Sequence, residues 1–388
     1  MNAGAFILAA IAYIPISLFV YANYPRRWKN NLTFRKLLLL WHLVGLAAIV
    51  TVFVWIRDIP YENIRYEICR LATFYYIPLT MMALLYLIHQ IYARAYRFIL
   101  RHTGRTLSPK MADFLVNKKF FAVFFTMLSF GICTAGYFNI DFLRLQEYEV
   151  HIGAKSAEKE LNICLIADVH AGTGTWEYTF DDLQKMIDGC DADVLLLAGD
   201  IFDETTTQAD VEDMKWVLST IKKPRYGMYY VYGNHDDSRE DWAANLMRGM
   251  GVTVLNNEMA ILGEDIQLIG IRDNERSEEQ IKALYEREQP DPEKPILTMI
   301  HRPVHFRTME NLGCDLAVAG HTHGFNIPMF LGGPLFGDMF SGIRSYGDMT
   351  AVTTSGVSAW GFHYKWPARS EVVKIRLIFE PAEEETHE

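Results

Sequence analysis

The sequence predicts a layered α/β domain over residues 151–378, preceded by a four-helix transmembrane region over 1–150 and followed by an acidic tail, 379–388. Three observations carry that prediction. Half of the 388 residues are apolar, and before residue 150 they crowd into four long stretches. Beyond residue 160, short apolar runs ending in Asp, Asn, Arg or His alternate with helical stretches. Charge divides at the same place: residues 1–150 hold sixteen Lys and Arg against seven Asp and Glu, while 151–388 hold 21 against 40. A basic segment suits a membrane surface, and so acidic a domain argues against a nucleic-acid partner.

The four stretches are 5–23, 37–56, 71–92 and 120–140, each close to the ~20 residues that cross a hydrocarbon core of ~30 Å as helix. They are rich in Leu, Ile, Val, Phe and Ala and lack the polar face that a helix of a soluble bundle needs. The 24–36 loop is basic through Arg26, Arg27, Lys29, Arg35 and Lys36, and the 93–119 loop runs from Arg94 to Lys119 with seven Lys and Arg. In the 57–70 loop, by contrast, Arg57, Arg65 and Arg70 are offset by Asp58, Glu62 and Glu67. The positive-inside rule then puts the first and third loops in the cytoplasm, and both termini with the whole C-terminal domain on the other side. No Lys or Arg precedes the first span, so a retained helix is expected rather than a cleaved signal. His42 and His89 fall near span ends and read as interface residues. Cys69, Cys133, Cys164, Cys190 and Cys314 show no metal-type spacing and read as buried thiols.

In the C-terminal domain, Leu161–Ala167 reads as a strand delivering Asp168 and His170. Phe180–Gly189 follows as a helix, Val194–Ala198 as a strand delivering Asp200, Val211–Thr220 as a helix, and Tyr229–Tyr232 as a strand delivering Asn234 and His235. Apolar runs at 267–271, 296–300 and 315–318 precede Arg272, His301 and His321. Side chains at the carboxyl ends of strands are where open α/β sheets build their sites.

Five clusters at those ends are Asp168-Val169-His170, Gly199-Asp200-Ile201-Phe202-Asp203, Gly233-Asn234-His235-Asp236, His301, and Gly320-His321-Thr322-His323. They offer carboxylate, imidazole and amide donors and no thiolate. Phosphate ester hydrolysis needs charge neutralised on the nonbridging oxygens, a nucleophile at neutral pH and a proton for the leaving oxygen; a pair of divalent ions supplies the first two. Such a donor set suits Mn best, with Fe and Zn as alternatives, and Asp200 is the natural bridge because a carboxylate has two oxygens to share. A lone His301 after an apolar run is ordinarily a core histidine; the company of the other four clusters makes it a ligand candidate.

In this order the clusters resemble the calcineurin-like metallophosphoesterases over roughly residues 160–375. The resemblance implies a four-layer α/β/β/α sandwich and two divalent metal ions. It assigns Asp168, His170 and His323 to the first metal, Asn234, His301 and His321 to the second, and Asp200 to both. It also makes His235 the acid that protonates the leaving oxygen, oriented by Asp203, with Asp236 as support. Glu204 stands where protein-phosphatase relatives have a phosphate-holding arginine, which speaks against phosphoprotein substrates. The membrane-anchored phosphodiesterase-like subgroup typically reads GHTHGGQ, and here the last two positions are Phe325 and Asn326.

The apolar segment after Gly324, with Phe325, Phe330 and Phe336, is expected either to pack internally or to receive an acyl or prenyl chain. Trp360, Phe362, Tyr364 and Trp366 form a second aromatic group, and His363 matches no motif. A site tethered to a membrane favours lipid-borne esters by effective concentration. The expected substrate is therefore a phosphodiester or pyrophosphate in a lipid headgroup. An anchored phosphomonoesterase or nucleotidase, and a phospho-ligand receptor without turnover, are the alternatives.

Overall fold

The computed structural model describes residues 3–52, 59, 62–104, 108–153, 155–172, 177–236, 241–324 and 337–379. The chain divides into two compact units. Asn2–Phe138 with Gly361–Tyr364 form the helical unit; Asn139–Trp360 and Lys365–Glu388 form the α/β unit. The boundary thus falls at 138/139, not at 150/151. The reason is a strand, β1 (Arg144–His151), that pairs in parallel with β12 (Glu371–Ile378) and belongs to the sheet.

The helical unit runs α1 (Ala3–Asn23), α2 (Arg26–Lys29), α3 (Leu32–Val50), α4 (Glu62–Thr103), α5 (Pro109–Leu115) and α6 (Lys118–Asn139). Asn31 starts α3 by accepting from the Phe34 amide at 2.9 Å, and Asn117 starts α6 by accepting from Phe120 at 3.0 Å. Among the described residues, three helical segments are long and apolar enough to cross a membrane: Leu32–Val50, Ile64–Thr103 and Lys118–Asn139. Within α1, Ala12–Asn23 is a shorter apolar segment. α4 is 42 residues long, so most of the charged stretches expected as loops on either side of 71–92 are helix. Arg, Glu and Tyr there cost a helix little, and nothing in 62–103 but Pro78 interrupts it. Tyr13, Ile49, Ala72, Leu79, Tyr86, Ala122 and Phe125 make the unit's core. Gly361–Tyr364 join it through Phe362, whose ring stacks on Tyr76 at 5.0 Å, and through His363, 4.8 Å from the Tyr137 ring. Phe362 and Tyr364 belong to this unit, Trp360 and Trp366 to the other.

The α/β unit holds two six-stranded sheets. With β2 (Glu160–Ile166), β3 (Val194–Leu197), β4 (Met228–Tyr230) and β5 (Thr253–Val254), the first has the order β1-β12-β2-β3-β4-β5. With β6 (Glu258–Leu262), β7 (Ile266–Ile271), β8 (Ile296–Ile300), β9 (Leu316–Ala319), β10 (Gly342–Tyr346) and β11 (Met349–Thr353), the second reads β10-β11-β9-β8-β7-β6. β2, β3, β4 and β5 run parallel, as do β7, β8, β9 and β11, so each sheet sends several carboxyl ends in one direction.

Alternation along the strands divides the core. Ile163 and Leu165 of β2 join Leu196, Leu268, Met299 and Val318 in one apolar cluster fed by both sheets. Cys164 and Ile166 point the other way, to Leu183 and Ile187 of α7 (Glu177–Gly189) and Val211, Met214 and Val217 of α8 (Gln208–Thr220). Ile269, Ile271 and Ala317 meet Ile281 and Leu284 of α10 (Glu278–Glu288) and Phe306 of α11 (Phe306–Asn311). α9 (Trp242–Gly249) adds Ala243, Ala244 and Met247 to the α7/α8 side. The five cysteines are buried, and none forms a disulfide.

Candidate metal centre

Each cluster named from the sequence lies just past a strand end, where the chain turns sharply. Asp168, His170, Asp200, His321 and His323 all have φ between 47° and 73°. This left-handed region is costly for residues with a Cβ and persists where surrounding structure imposes it, often at functional sites. Two glycines show the crowding. A Cβ on Gly320 would lie 2.5 Å from Ala167 Cβ and 2.7 Å from Asp168 Oδ2, and one on Gly233 would run into the Asp200 carboxylate.

Two donor groups result. Asp168, His170 and His323 bring one ligand atom each within 4.8 Å of one another, as do Asp200, His301 and His321. His170, Asp200 and His235 form a third such set linking them. Asp200 Oδ2 stands 3.1 Å from His301 Nε2 and 3.8 Å from His170 Nε2; Asp168 Oδ1 stands 3.7 Å from His323 Nε2 and 4.0 Å from His170 Nε2. These side chains are buried, yet Asp168 Oδ1, His170 Nε2, His301 Nε2 and Asn234 Oδ1 have no hydrogen-bond partner. Buried polar atoms of that kind are costly unless something satisfies them, and convergent oxygen and imidazole donors are satisfied by cations. The residues therefore fit divalent metal ions.

The backs of the ligands are held. His301 Nδ1 lies 2.8 Å from the Ala198 carbonyl and His323 Nδ1 3.1 Å from the Ser358 carbonyl, contacts that place the proton on Nδ1 and leave Nε2 for a metal. Asp236 accepts from the amides of Ile201, Phe202 and Gly233 at 3.1–3.3 Å and so ties the β3 turn to the β4 turn. His235 departs from expectation. Its Nδ1 is hydrogen-bonded to Glu204 Oε2 at 2.8 Å, while Asp203 accepts from the Thr205 amide and hydroxyl and sets its second oxygen 3.5 Å from His170 Nδ1. Adjacent residues leave a turn in different directions, so Asp203 backs the ligand candidate His170 and Glu204 takes His235. The Trp360 ring lies 5.1 Å from that of His235.

Residues 161–325 match the calcineurin-like phosphoesterase family model. An uncharacterized metallophosphoesterase of Helicobacter pylori is 26% identical over 392 residues, covering 96% of this chain and 98% of its own. A transmembrane protein with metallophosphoesterase domain from Bos taurus is 27% identical over 57% of this chain and 54% of its own. Phosphodiesterase YaeI of Escherichia coli is 26% identical over 48% and 70% respectively. Residues 161–325 are thus a calcineurin-like phosphoesterase domain, and the chain is similar to metallophosphoesterases along most of its length.

In this phosphoesterase domain the electrostatics separate the histidines. Burial disfavours a charged His235, but Asp200, Glu204 and Asp203 outweigh it and raise the pKa to about 9. Burial, with His170 and Lys365 nearby, lowers His323 to about 4, so this imidazole is neutral and ready to bind a cation. Burial also raises Asp236 to about 6, helped by the Asp200 charge.

One residue absent from every sequence motif is Lys365. It is fully buried, and its Nζ donates to the carbonyls of Gly356 at 2.7 Å and Ser358 at 2.8 Å. The same loop reaches the ligands: the Ser358 amide donates to the Asp168 carbonyl at 3.0 Å, and the Ser358 carbonyl meets His323. Burial lowers the Lys365 pKa to about 7. No local signal marks this lysine, because its role exists only once Val357 and Ser358 pair with the β2 turn and Lys365 reaches the Gly356 and Ser358 carbonyls. Phe325, Phe330 and Phe336 lie outside the described residues, as does the acidic tail beyond Phe379.

Proposed function

We propose that this metallophosphoesterase cleaves a phosphodiester or pyrophosphate bond in a lipid-borne headgroup on the extracytoplasmic face, with its four apolar helices crossing the bilayer. In this reading Asp168, His170 and His323 would hold one metal ion and Asn234, His301 and His321 the other, with Asp200 serving both. When bound, two divalent cations, Mn by preference, supply charge neutralisation and an acidified water. The observation that carries hydrolysis, as opposed to mere binding, is the His235–Glu204 pair at 2.8 Å beside those donors. Glu204 and Asp200 keep His235 protonated at neutral pH. As the bond from phosphorus to the leaving oxygen breaks and one from water oxygen forms, His235 gives its proton to the leaving oxygen and Glu204 stabilises the imidazolium before transfer. Binding alone needs no such acid.

Support for a lipid substrate is the covalent link to three long apolar helices, and similarity to the phosphodiesterase YaeI supports a diester bond. A tether raises the effective concentration of membrane-borne ester over soluble ester. Basic residues at 26–36 support a cytoplasmic first loop. The test is full-length protein in detergent, loaded with Mn and offered a model diester, a model monoester and a membrane-lipid extract, with products identified by mass. Release from one lipid class, abolished by chelator, is the expected result. Turnover confined to the soluble monoester would overturn the lipid reading, and a cytoplasmic location of the C-terminus in a protease-protection assay would overturn the stated orientation.

A further inference from the structure

Directly after the ligand candidate His301 stands Arg302, a residue that no step above uses. Its Nε donates to both oxygens of Asp273, at 2.9 and 3.2 Å. Asp273 is itself buried in the short 3-10 turn Asp273–Glu275 that follows β7. This edge-on attachment uses one of the five N–H donors of the guanidinium. The terminal amino groups make no hydrogen bond to any described residue, and the side chain is 26% exposed. Arginine–carboxylate pairs are frequently bidentate, with two N–H groups engaged; here Nε alone holds Asp273, and among the described residues the terminal groups are left open.

The pair borders the second donor group. β7 and β8 are parallel neighbours with Ile271 paired to Ile300, so Asp273 and Arg302 leave the sheet side by side at the end that carries His301. The domain around it is strongly acidic, so a cation with open donors here is a local inversion of sign.

We propose that Arg302 is a substrate-binding residue: held by Asp273, it gives its terminal N–H groups to a nonbridging oxygen of the phosphoryl group that sits against His301, His321 and Asn234. This rests on the phosphoesterase reading and adds to it the protein group that fixes the phosphate oxygen left over by the metals. Planar guanidinium donors match phosphate geometry, and a lysine at this place matches it less well.

The experiment uses the full-length, Mn-loaded protein and inorganic phosphate as probe, with calorimetric affinity, metal content, melting temperature, and KM and kcat on a model diester as readouts. Arg302→Gln is expected to weaken phosphate binding and raise KM by roughly tenfold or more, with kcat changed less and two metals retained. Arg302→Lys is expected to fall between, and Asp273→Asn to shift affinity in the same direction by loosening the anchor. Wild-type phosphate affinity in a metal-loaded Arg302→Gln protein overturns the proposal, as does failure of the metal-loaded wild type to bind phosphate. Should Arg302→Gln lose metal or melt early, Arg302→Lys decides: unchanged affinity there overturns it. Phosphate binding that depends on Arg302 in a protein that hydrolyses nothing sinks the catalytic reading and leaves this one standing.

Discussion

The two units of this protein use apolar side chains in opposite ways. Thirty large apolar side chains are exposed among the described residues, and 25 of them lie in the helical unit, including Leu18, Leu37, Leu40 and Met127 at 58–70% exposure. The α/β unit exposes five, Phe142, Trp216, Ile261, Ile343 and Trp366. In water such surface is a liability, so the difference shows that the two units are built for different solvents. Polar atoms reverse the pattern: the α/β unit buries aspartates, histidines and a lysine around one centre, and the helical unit concentrates its charge at helix ends and connections. One unit therefore places the protein and the other does the chemistry, and substitutions should separate cleanly between them.

The largest effect is expected at Asp200, which faces both donor groups. Asp200→Ala should lose bound metal and reduce turnover by roughly a thousandfold or more, with membrane extraction unchanged. Elemental analysis and activity of the same sample check this, and a fully metallated variant would count against the bridging role. His235→Ala should cut kcat by about 10²–10⁴ while leaving metal content alone. Met127→Lys tests the other unit. Met127 is 70% exposed midway along α6, and lysine at a helix centre in a bilayer costs about 2.5–3.5 kcal/mol. Integration into membranes should fall, while Ile261→Lys, at an exposed site of the α/β unit, should change stability by only about 0.5 kcal/mol. Equal sensitivity at the two positions would break the comparison.

Two smaller effects sharpen it. Glu204→Gln removes a charge that raises His235, so kcat should drop by about tenfold and the alkaline limb of the kcat profile should move to lower pH. Asp203→Asn, at the residue backing His170, should instead weaken metal binding. Lys365 gives a stability test by pH. Its folded pKa of about 7 lies below the ordinary 10.5, so between these values the unfolded chain holds a proton that the folded one does not. Its contribution is fully present above 10.5 and is lost as pH falls through about 7. The melting-temperature difference between wild type and Lys365→Met should therefore shift in favour of wild type from pH 7 to 10, and a flat difference would refute the buried, largely neutral lysine.

How much of this was legible depends on the range of the interaction. The runs at 161–167, 194–198, 267–271 and 296–300 are uniform enough in apolar content to predict their strands to within a residue or so, because a buried parallel strand needs apolar side chains on both faces. β1 and β12 were not legible: Arg144–His151 alternates charged and apolar residues next to an apolar span, and its partner lies more than 200 residues away. α4 was predicted too short because hydropathy marks where lipid begins, whereas the backbone hydrogen bonds of a helix continue through charged residues.

By itself, the sequence determined the two solvents, the strand ends and the donor set, since each follows from residue type and local spacing. Tertiary structure decided which carboxylate meets His235, that Lys365 holds the Gly356 and Ser358 carbonyls, and that Arg302 is anchored through its Nε on Asp273. The physical reason is common to all three. Hydrogen bonds act over about 3 Å, and which groups come that close is set by turn dihedrals and by strands meeting across the sheets. Residue type specifies what a group can donate or accept, and only the packed chain specifies to whom.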